Sequence, residues 1–477
     1  MKARALQQQE SALYELFAKR PEGIKPGLAR IHAALACVSW AGAIPPVITI
    51  GGTNGKGTTA GMLWHLLAAA GLRAGLFSSP HLCRFSERIQ CTHRQINDEI
   101  LLKELGDLQR ELPQEIYESL SFFEVNTLLA LQTFIRSDCQ LLVLEVGLGG
   151  RWDACNIVDS VAAVVTSIDR DHVEYLGSSY GGIGAEKLGI ARPQRPLFWG
   201  ERYTDAKAGL RESLETQQRA REFVLYERGK HFALNGEGSL GISLPDLPQL
   251  TLKLPTFFRG FPLLLQENFA LSLSVFYWLL FQEKLSPDCR LGEEGISPET
   301  FIQQVAARCG AANIPWAASL VGRFQRLRVR DSSASFELIS DVSHNPAGIG
   351  EFILYLKAQG LINDQGLKIP GFFSCLYDKE VEEMLDEVSR YFSPLLLFQS
   401  ANPRSFSRQH LAAPYQQLPL FADFSKAWHY AYTNWHAYPQ PWALCGSVAA
   451  LGEVFSYFRA FPPQRSYQQI LHGSFAL

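Results

Sequence analysis

The 477-residue chain has almost no net charge, with 44 Lys and Arg against 47 Asp and Glu, or −3 at neutral pH. This near balance gives no electrostatic reason to expect nucleic acid or an anionic membrane surface as a partner. Anionic ligands would have to be met by local lysines, helix ends and metal. Long apolar runs are also missing. Val275 to Phe281 is the longest and falls well short of the ~20 residues that span a bilayer. The polar, glutamine-rich Met1 to Phe17 lacks the pattern of a secretory signal. Nine cysteines, an odd number without a Cys-x-x-Cys pair, suit reduced thiols better than a disulfide frame. No internal repeat or low-complexity tract is visible. A composition of 47% hydrophobic and 19% charged residues excludes wholesale disorder. The expectation is a soluble, cytoplasmic protein of two or three domains. His81, Cys83, Cys91 and His93 supply the donor types of a Cys2His2 zinc site. Their spacing is unusual for structural zinc, and a loop that happens to contain them is the preferred reading.

What is present centres on one segment. The apolar run Val47 to Ile50 enters Gly51-Gly52-Thr53-Asn54-Gly55-Lys56-Gly57-Thr58-Thr59 as a strand, and a helical pattern leaves it. Leu63, Leu66, Leu67 and Ala70 recur with helical spacing, and Gly71 marks the end. Glycines in such a turn let successive backbone N–H groups point at an anion, with a lysine and a hydroxyl at the mouth of the helix. This is equipment for a nucleotide polyphosphate and its magnesium ion. Thr53, Asn54, Gly55, Lys56, Gly57 and Thr58 are therefore candidate nucleotide-binding residues. Gly57 separates Lys56 from Thr58, so the strict phosphate-loop pattern is not met.

The organisation along the chain is α/β. Ala74 to Ser78, Leu141 to Val146 and Val161 to Ser167 are near-continuous apolar runs of the kind buried in a parallel sheet, with helical stretches such as Val125 to Ile135 between them. Residues ~200–255 are more polar and suggest a small β insertion or subdomain. Asn268 is expected to open a long apolar helix reaching Lys284, and Ser297-Pro298-Glu299 to start another. Ala311 to Ser319 is the candidate linker. Strands are then expected at Phe336 to Ser340, Gly371 to Cys375, Leu395 to Phe398 and Trp442 to Cys445. The fold class is a P-loop-containing doubly wound α/β domain, residues 1–318, followed by a smaller Rossmann-like α/β domain, residues 319–477.

Several polar groups fall at strand ends. Glu145 closes an apolar strand, where a carboxylate is costly without a positive partner, and magnesium is the natural one. Gly147 to Asn156 forms a glycine-rich loop containing Arg151 and Asp153. Asp169-Arg170-Asp171-His172 follows the next strand. Lys187 alone reads as a solvated helix lysine. Gly322-Arg323-Phe324-Gln325 and Asp341 to Pro346 are polar clusters in the second half.

Taken in order, these segments resemble the dihydrofolate synthase/folylpolyglutamate synthase family of the Mur ligase superfamily. The matching pieces are Gly52 to Thr58, Ser78 to Leu82, Phe122 to Glu124, Glu145 to Arg151, Thr166 to His172, Glu186 to Ile190, Gly322 to Gln325 and His344 to Pro346. The resemblance implies an ATP-dependent ligase whose first domain holds ATP phosphates, two magnesium ions and the pterin, and whose second closes over the nucleotide. It places Thr58, Ser79 and Glu145 around one magnesium and His172 on the other, with Lys187 carrying a carbamate. Lys56, His172 and Lys187 become the catalytic set. Asn268, Arg323 and Asp341 fall where the family contacts ATP, and Phe123 and Asp153 where it contacts the pteroate. The implied partners are dihydropteroate, reduced folates and L-glutamate, acting on a monomer. The chain departs from the family pattern at Trp152, Arg170, Val342-Ser343 and Lys25-Pro26, the last lying in a segment that contacts dihydropteroate in bifunctional members. A folylpolyglutamate synthase alone, or another Mur-type amino-acid ligase, is the alternative. A nucleotide-binding switch would leave Arg323 and Asp341 without a task.

Overall fold

The computed structural model describes residues 27–171, 173–202, 207–236, 238–254, 262–282, 296–310, 321–330, 335–435, 441–458 and 474–476. The chain divides into two compact units, Met1–Ile314 and Pro315–Leu477. The expected linker and Lys25-Pro26 lie outside the described residues.

A seven-stranded sheet organises the first unit. Its strands are β1 (Val47–Gly51), β2 (Ala74–Phe77), β3 (Ile89–Cys91), β4 (Leu141–Glu145), β5 (Ser160–Val165), β6 (Pro196–Trp199) and β7 (Val224–Glu227). They stand in the order β3-β2-β4-β1-β5-β6-β7, and only the β2–β3 pair is antiparallel. Every residue of β1, β2, β4 and β6 is buried, which accounts for their unbroken apolar character. From β1 the chain goes to β2 on one side, and later from β4 it crosses to β5 on the other. The carboxyl end of β1 is therefore a topological switch point, where open α/β sheets form a crevice.

The helix Lys56–Ala69 leaves β1 and is buried at ten consecutive positions, Thr58 to Leu67. It shows no polar face because the helix Leu263–Leu280 packs along it, with Ser272 Oγ donating to the Thr59 carbonyl at 3.0 Å. Another helix, Phe122–Arg136, starts at a capping box in which Ser121 and Glu124 satisfy each other's backbone N–H groups. Its Phe134 explains Gly75 in β2, where a Cβ would sit 2.6 Å from Phe134 Cδ1.

Two expectations change. Leu263–Leu280 begins before Asn268, at Pro262, whose fixed φ and missing N–H suit a helix start, so Asn268 lies inside the helix. By length and composition this helix could cross a membrane, the single one among the described residues to do so. All its residues from Glu267 to Leu279 are buried within the protein, so its apolarity serves the core. Residues 200–255 are also more than a β insertion. They contain the helix Ala208–Arg221 and β7 of the main sheet, and only β8 (Phe232–Leu234), β9 (Ser239–Ile242) and β10 (Leu250–Lys253) form a separate antiparallel sheet. That helix was masked by its polarity, since it buries only Leu210 and Leu214.

The second unit is a smaller α/β layer structure. Its strands are β11 (Gln325–Arg330), β12 (Ser335–Ser340), β13 (Ile369–Phe373), β14 (Phe392–Phe398), β15 (Leu420–Phe421), β16 (Trp442–Cys445) and β17 (Ser474–Ala476). They stand in the order β15-β14-β13-β16-β12-β11-β17, parallel from β15 to β12, with β11 antiparallel to β12. Phe373 joins one core with Phe352, Leu356, Leu385 and Val388. Its neighbour Phe372 points to the opposite face, stacking on Trp442 at 4.8 Å and meeting Phe424 and Trp428.

Truncating Phe134, which is fully buried, to alanine is expected to destabilise the first unit by about 3–5 kcal/mol through lost burial and a residual cavity. Urea denaturation of Phe134→Ala against wild type measures this.

Candidate active site

The loop after β1 is fixed by its neighbour strand. Thr53 N–H donates to Ser167 O at 2.6 Å, and Thr53 Oγ1 both donates to Asp169 O at 3.0 Å and accepts from Asp169 N–H at 2.8 Å. Asn54 N–H donates to Ser167 Oγ at 3.2 Å, while the Asn54 carbonyl accepts from Thr166 Oγ1 at 2.7 Å and Ser167 Oγ at 3.1 Å. Two glycines make this possible. Gly52 has φ +138°, and a Cβ there would lie 2.0 Å from Thr166 Oγ1. Gly55, at φ +85°, is the left-handed residue from which the helix Lys56–Ala69 springs.

Against Gly55 lies Asn268, whose Oδ1 would be 2.9 Å from a Cβ added there. Its Nδ2 is buried without a hydrogen-bond partner among the described residues. A buried donor beside the loop suits a ligand that brings an acceptor.

Two lysines converge on one carbonyl. Lys56 Nζ donates to Gly52 O at 3.1 Å and Thr53 O at 2.9 Å, and Lys187 Nζ donates to the same Gly52 O at 2.9 Å. Lys187 is 3% exposed, which overturns the solvated-lysine reading made from its sequence neighbourhood alone. Burial pushes its amine down to about 7; the Lys56 charge adds to this and Asp171 opposes it.

Oxygen donors stand nearby. Glu145 ends β4 beside Ile50 of β1, is 3% exposed, and its Oε2 accepts from Ser79 N–H at 2.9 Å. Thr58 sits in the first turn of the helix and is buried. Hydroxyls with a carboxylate are the hard-oxygen chemistry that magnesium prefers, so the residues present fit that ion. His172 lies outside the described residues.

The loop Gly147 to Asp153 forms a further wall. The Phe123 ring lies on Gly147, where a Cβ would be 2.7 Å from Phe123 Cζ, and packs near Phe77 with ring centroids 5.7 Å apart. Asp153 turns its carboxylate back into the loop. Oδ2 accepts from Gly147 and Leu148 N–H, both at 3.0 Å, and Oδ1 accepts from Cys155 N–H at 2.8 Å. Burial raises its carboxyl to about 6 against the pull of these bonds.

The zinc-like spacing resolves differently. His81 Nδ1 accepts from Arg88 Nε at 2.7 Å, and burial followed by the Arg88 charge holds the imidazole down to about 3. His93 Nε2 meets Ser137 O at 2.5 Å, and the Cys91 and Cys139 sulfurs lie 3.7 Å apart.

In the second unit, Asp341 follows β12 and clasps two turns. Oδ2 accepts from Phe324 N–H at 2.9 Å, while Oδ1 accepts from Ser343 N–H at 2.8 Å and from the Ser343 hydroxyl. Burial raises its carboxyl; Ser343 and then the Arg323 charge pull it back. Phe324 takes a positive φ of 48° in the turn that carries Arg323.

Thr166 and Ser167, and Gly200 to Arg202 after β6, also stand at the loop, and no motif in the sequence marks them for it. The available signal was position, since each follows an apolar strand at the same sheet edge as Gly52.

Two outcomes follow. Gly52→Ala is expected to fold but displace the loop, lowering ATP-dependent turnover at least about a hundredfold; steady-state assays test this. Lys187 has a folded amine near 7 and an ordinary value of 10.5. Below the lower value both states are protonated and the full cost of burying the cation is present. Between the two values the unfolded chain binds more protons, so wild-type stability rises with pH. Lys187→Met should exceed wild type in stability most at about pH 6 and progressively less towards about pH 9.5, measured by urea denaturation in carbonate-free buffer.

Residues 50–196 match the family model described as the Mur ligase middle domain. Over 437 residues the chain is 29% identical to the dihydrofolate synthase/folylpolyglutamate synthase of Escherichia coli, covering 91% of this chain and 92% of that protein. The protein of the same name from Haemophilus influenzae is 44% identical over a shorter stretch of 175 residues, 37% of this chain and 39% of that protein. A crystal structure of a bifunctional folylpolyglutamate synthase/dihydrofolate synthase with Mn, AMPPNP and L-glutamate bound has a TM-score of 0.71 and 29% identity, covering 92% of this chain and 95% of that one. With the phosphate loop, the two converging lysines and Glu145 set on the matching fold, the chain is similar over nine-tenths of its length to dihydrofolate synthase/folylpolyglutamate synthases and carries a stretch that matches the Mur ligase middle domain.

Proposed function

We propose that this ligase joins L-glutamate to dihydropteroate and to reduced folates at the expense of ATP. The observation that carries the reading is the loop Gly52 to Thr58, held open by Thr166 to Asp169 with Lys56 at its mouth. A substrate carboxylate attacks the γ-phosphate of ATP, forming an acyl phosphate and ADP. The glutamate amine then attacks the activated carbonyl, forming the amide and releasing phosphate. Phosphoryl transfer of this kind depends mainly on positioning and electrostatics.

The chain's residues divide these tasks. Backbone N–H groups of Gly55, Gly57 and the helix start meet the phosphates, with Thr53 and Asn54 anchoring the loop. Lys56 leaves the loop carbonyls to neutralise transferring charge. Asn268 supplies its spare N–H to the nucleotide. Thr58, Ser79 and Glu145 would hold one magnesium ion and His172 a second. Bound there, magnesium supplies charge neutralisation at the phosphate oxygens. Phe123 and the loop held by Asp153 line the pterin side.

Lys187 supports a finer reading. An amine pushed down to about 7 is partly neutral in the cell, and the neutral form attacks CO2 to give a carbamate and a proton. That replaces a cation beside Lys56 with an anion. Small-molecule substrates, a cytoplasmic location and a monomer complete the proposal.

The test supplies ATP, magnesium and L-glutamate with either dihydropteroate or tetrahydrofolate, and measures ADP release. Turnover with both is expected, turnover with neither overturns the folate reading, and tetrahydrofolate alone restricts it to polyglutamylation. Lys56→Ala should abolish turnover while leaving the circular dichroism spectrum unchanged; near-normal turnover would refute the phosphate-loop assignment.

A further inference from the structure

Gly200, Glu201 and Arg202 follow β6 and carry no ligand role above. Glu201 is 4% exposed, and its Oε2 accepts from Ile168 N–H at 2.5 Å. Ile168 is flanked by Ser167 and Asp169, the two residues whose backbones hold Thr53. Lys207 Nζ donates to the Ile168 carbonyl at 3.0 Å, so both faces of that residue's backbone are engaged. Glu201 is thus one residue removed from the bonds that fix the phosphate loop.

Arg202 reaches the loop's other wall. Its Nε stands 3.1 Å from Glu267 Oε2 as an ion pair, and Arg228 pairs with the other oxygen of Glu267. Glu267 is 8% exposed and directly precedes Asn268, whose side chain lies on Gly55. Gly200 lets the tripeptide pass between the walls, since a Cβ there would sit 2.7 Å from Leu271 Cδ2 and 2.8 Å from Thr166 O.

We infer that Glu201 and Arg202 are positioning residues for the nucleotide site. Glu201 sets the Thr166 to Asp169 wall, and Arg202, through Glu267, sets the Asn268 wall. The chemistry favours a geometric role. A buried carboxylate is costly unless engaged, and a buried ion pair adds little net stability over apolar packing. What such groups do supply is direction: each tolerates one placement of its partner. Two charged residues in succession, aimed at opposite walls of one loop, set the width of the crevice in which a triphosphate must lie. A displacement of about 1 Å at such a site costs up to about a hundredfold in function.

This inference rests on the ligase reading, and the test separates the two. Full-length wild type, Glu201→Met, Arg202→Met and Arg202→Lys are titrated with AMPPNP and magnesium by calorimetry, and KM values for tetrahydrofolate and L-glutamate are measured alongside Tm. Glu201→Met, which removes the acceptor of the Ile168 N–H, and Arg202→Met are expected to weaken AMPPNP binding about tenfold, and Arg202→Lys to recover most of its loss. The two KM values should stay within about twofold, as these bonds of Glu201 and Arg202 run to Ile168 and Glu267 at the phosphate loop, whereas Phe123 and Asp153 act on the Gly147 loop. Unchanged AMPPNP affinity in both variants overturns the positioning role alone. Equal weakening of all three substrates with a lowered Tm, unrescued by lysine, also overturns it, in favour of plain destabilisation. A wild-type protein that binds no AMPPNP overturns the ligase reading itself, and this inference with it.

Discussion

The hydrogen bonds between Thr53 and the backbone of Ser167 and Asp169 are the constraint on which the rest of the first unit turns. Parallel strands end with unpaired backbone groups at one edge, and those groups must find partners or water. Here the edge of β1 finds them in the segment leaving β5. The cost is steric, because the two segments meet so closely that Gly52 cannot carry a side chain. The gain is a loop whose outer surface is free for a ligand because its inner surface is already satisfied. The shared Gly52 carbonyl extends the constraint to Lys56 and Lys187. Two ammonium groups on one acceptor repel, and burial followed by the Lys56 charge pushes the Lys187 amine down. Phosphate at the loop mouth would offer Lys56 a stronger partner than two carbonyls, separating the pair.

A second device recurs in both units. Asp153, Asp341 and Glu87 each spend a carboxylate on backbone N–H groups of a neighbouring turn. Such clasps fix irregular backbone without a regular element, which functional loops at strand ends require. They also give an aspartate near a site two physical meanings. Asp153 shapes Gly147 and Leu148, on which the Phe123 ring rests, so it acts on that wall through the loop it holds.

The parallel strands were plain in the sequence because burial on both faces leaves unbroken apolar runs such as Leu141 to Val146, and the Lys56 helix because Gly55 and Gly71 bracket it. The helix Ala208–Arg221 was hidden, since two buried leucines in fourteen residues make a faint period. Lys187 was hidden for a deeper reason. Whether a lysine is solvated depends on what folds over it, and its partner, Gly52, is far away in sequence. The same holds for Glu201 and Arg202, whose meaning comes from strands brought side by side. Sequence spacing reports local geometry well, whereas a contact between two strand ends leaves no mark on either alone. The ordered set of motifs recovered part of that information, because shared order stands in for shared contacts.

Gly57 shows how a local detail and the tertiary frame combine. In the helix that starts at Lys56, each residue turns the side-chain direction by about 100°. The inserted glycine therefore sends the hydroxyl of Thr58 to a different azimuth from the one it would have directly after the lysine. Thr58 is buried there, on the helix that leaves β1, while Glu145 ends the neighbouring strand and accepts from Ser79. In the proposed nucleotide site, a side chain at position 57 would keep the turn but add bulk where phosphates would approach. Glycine meets both demands, and it does so only because Gly55 has already set the direction in which the helix starts.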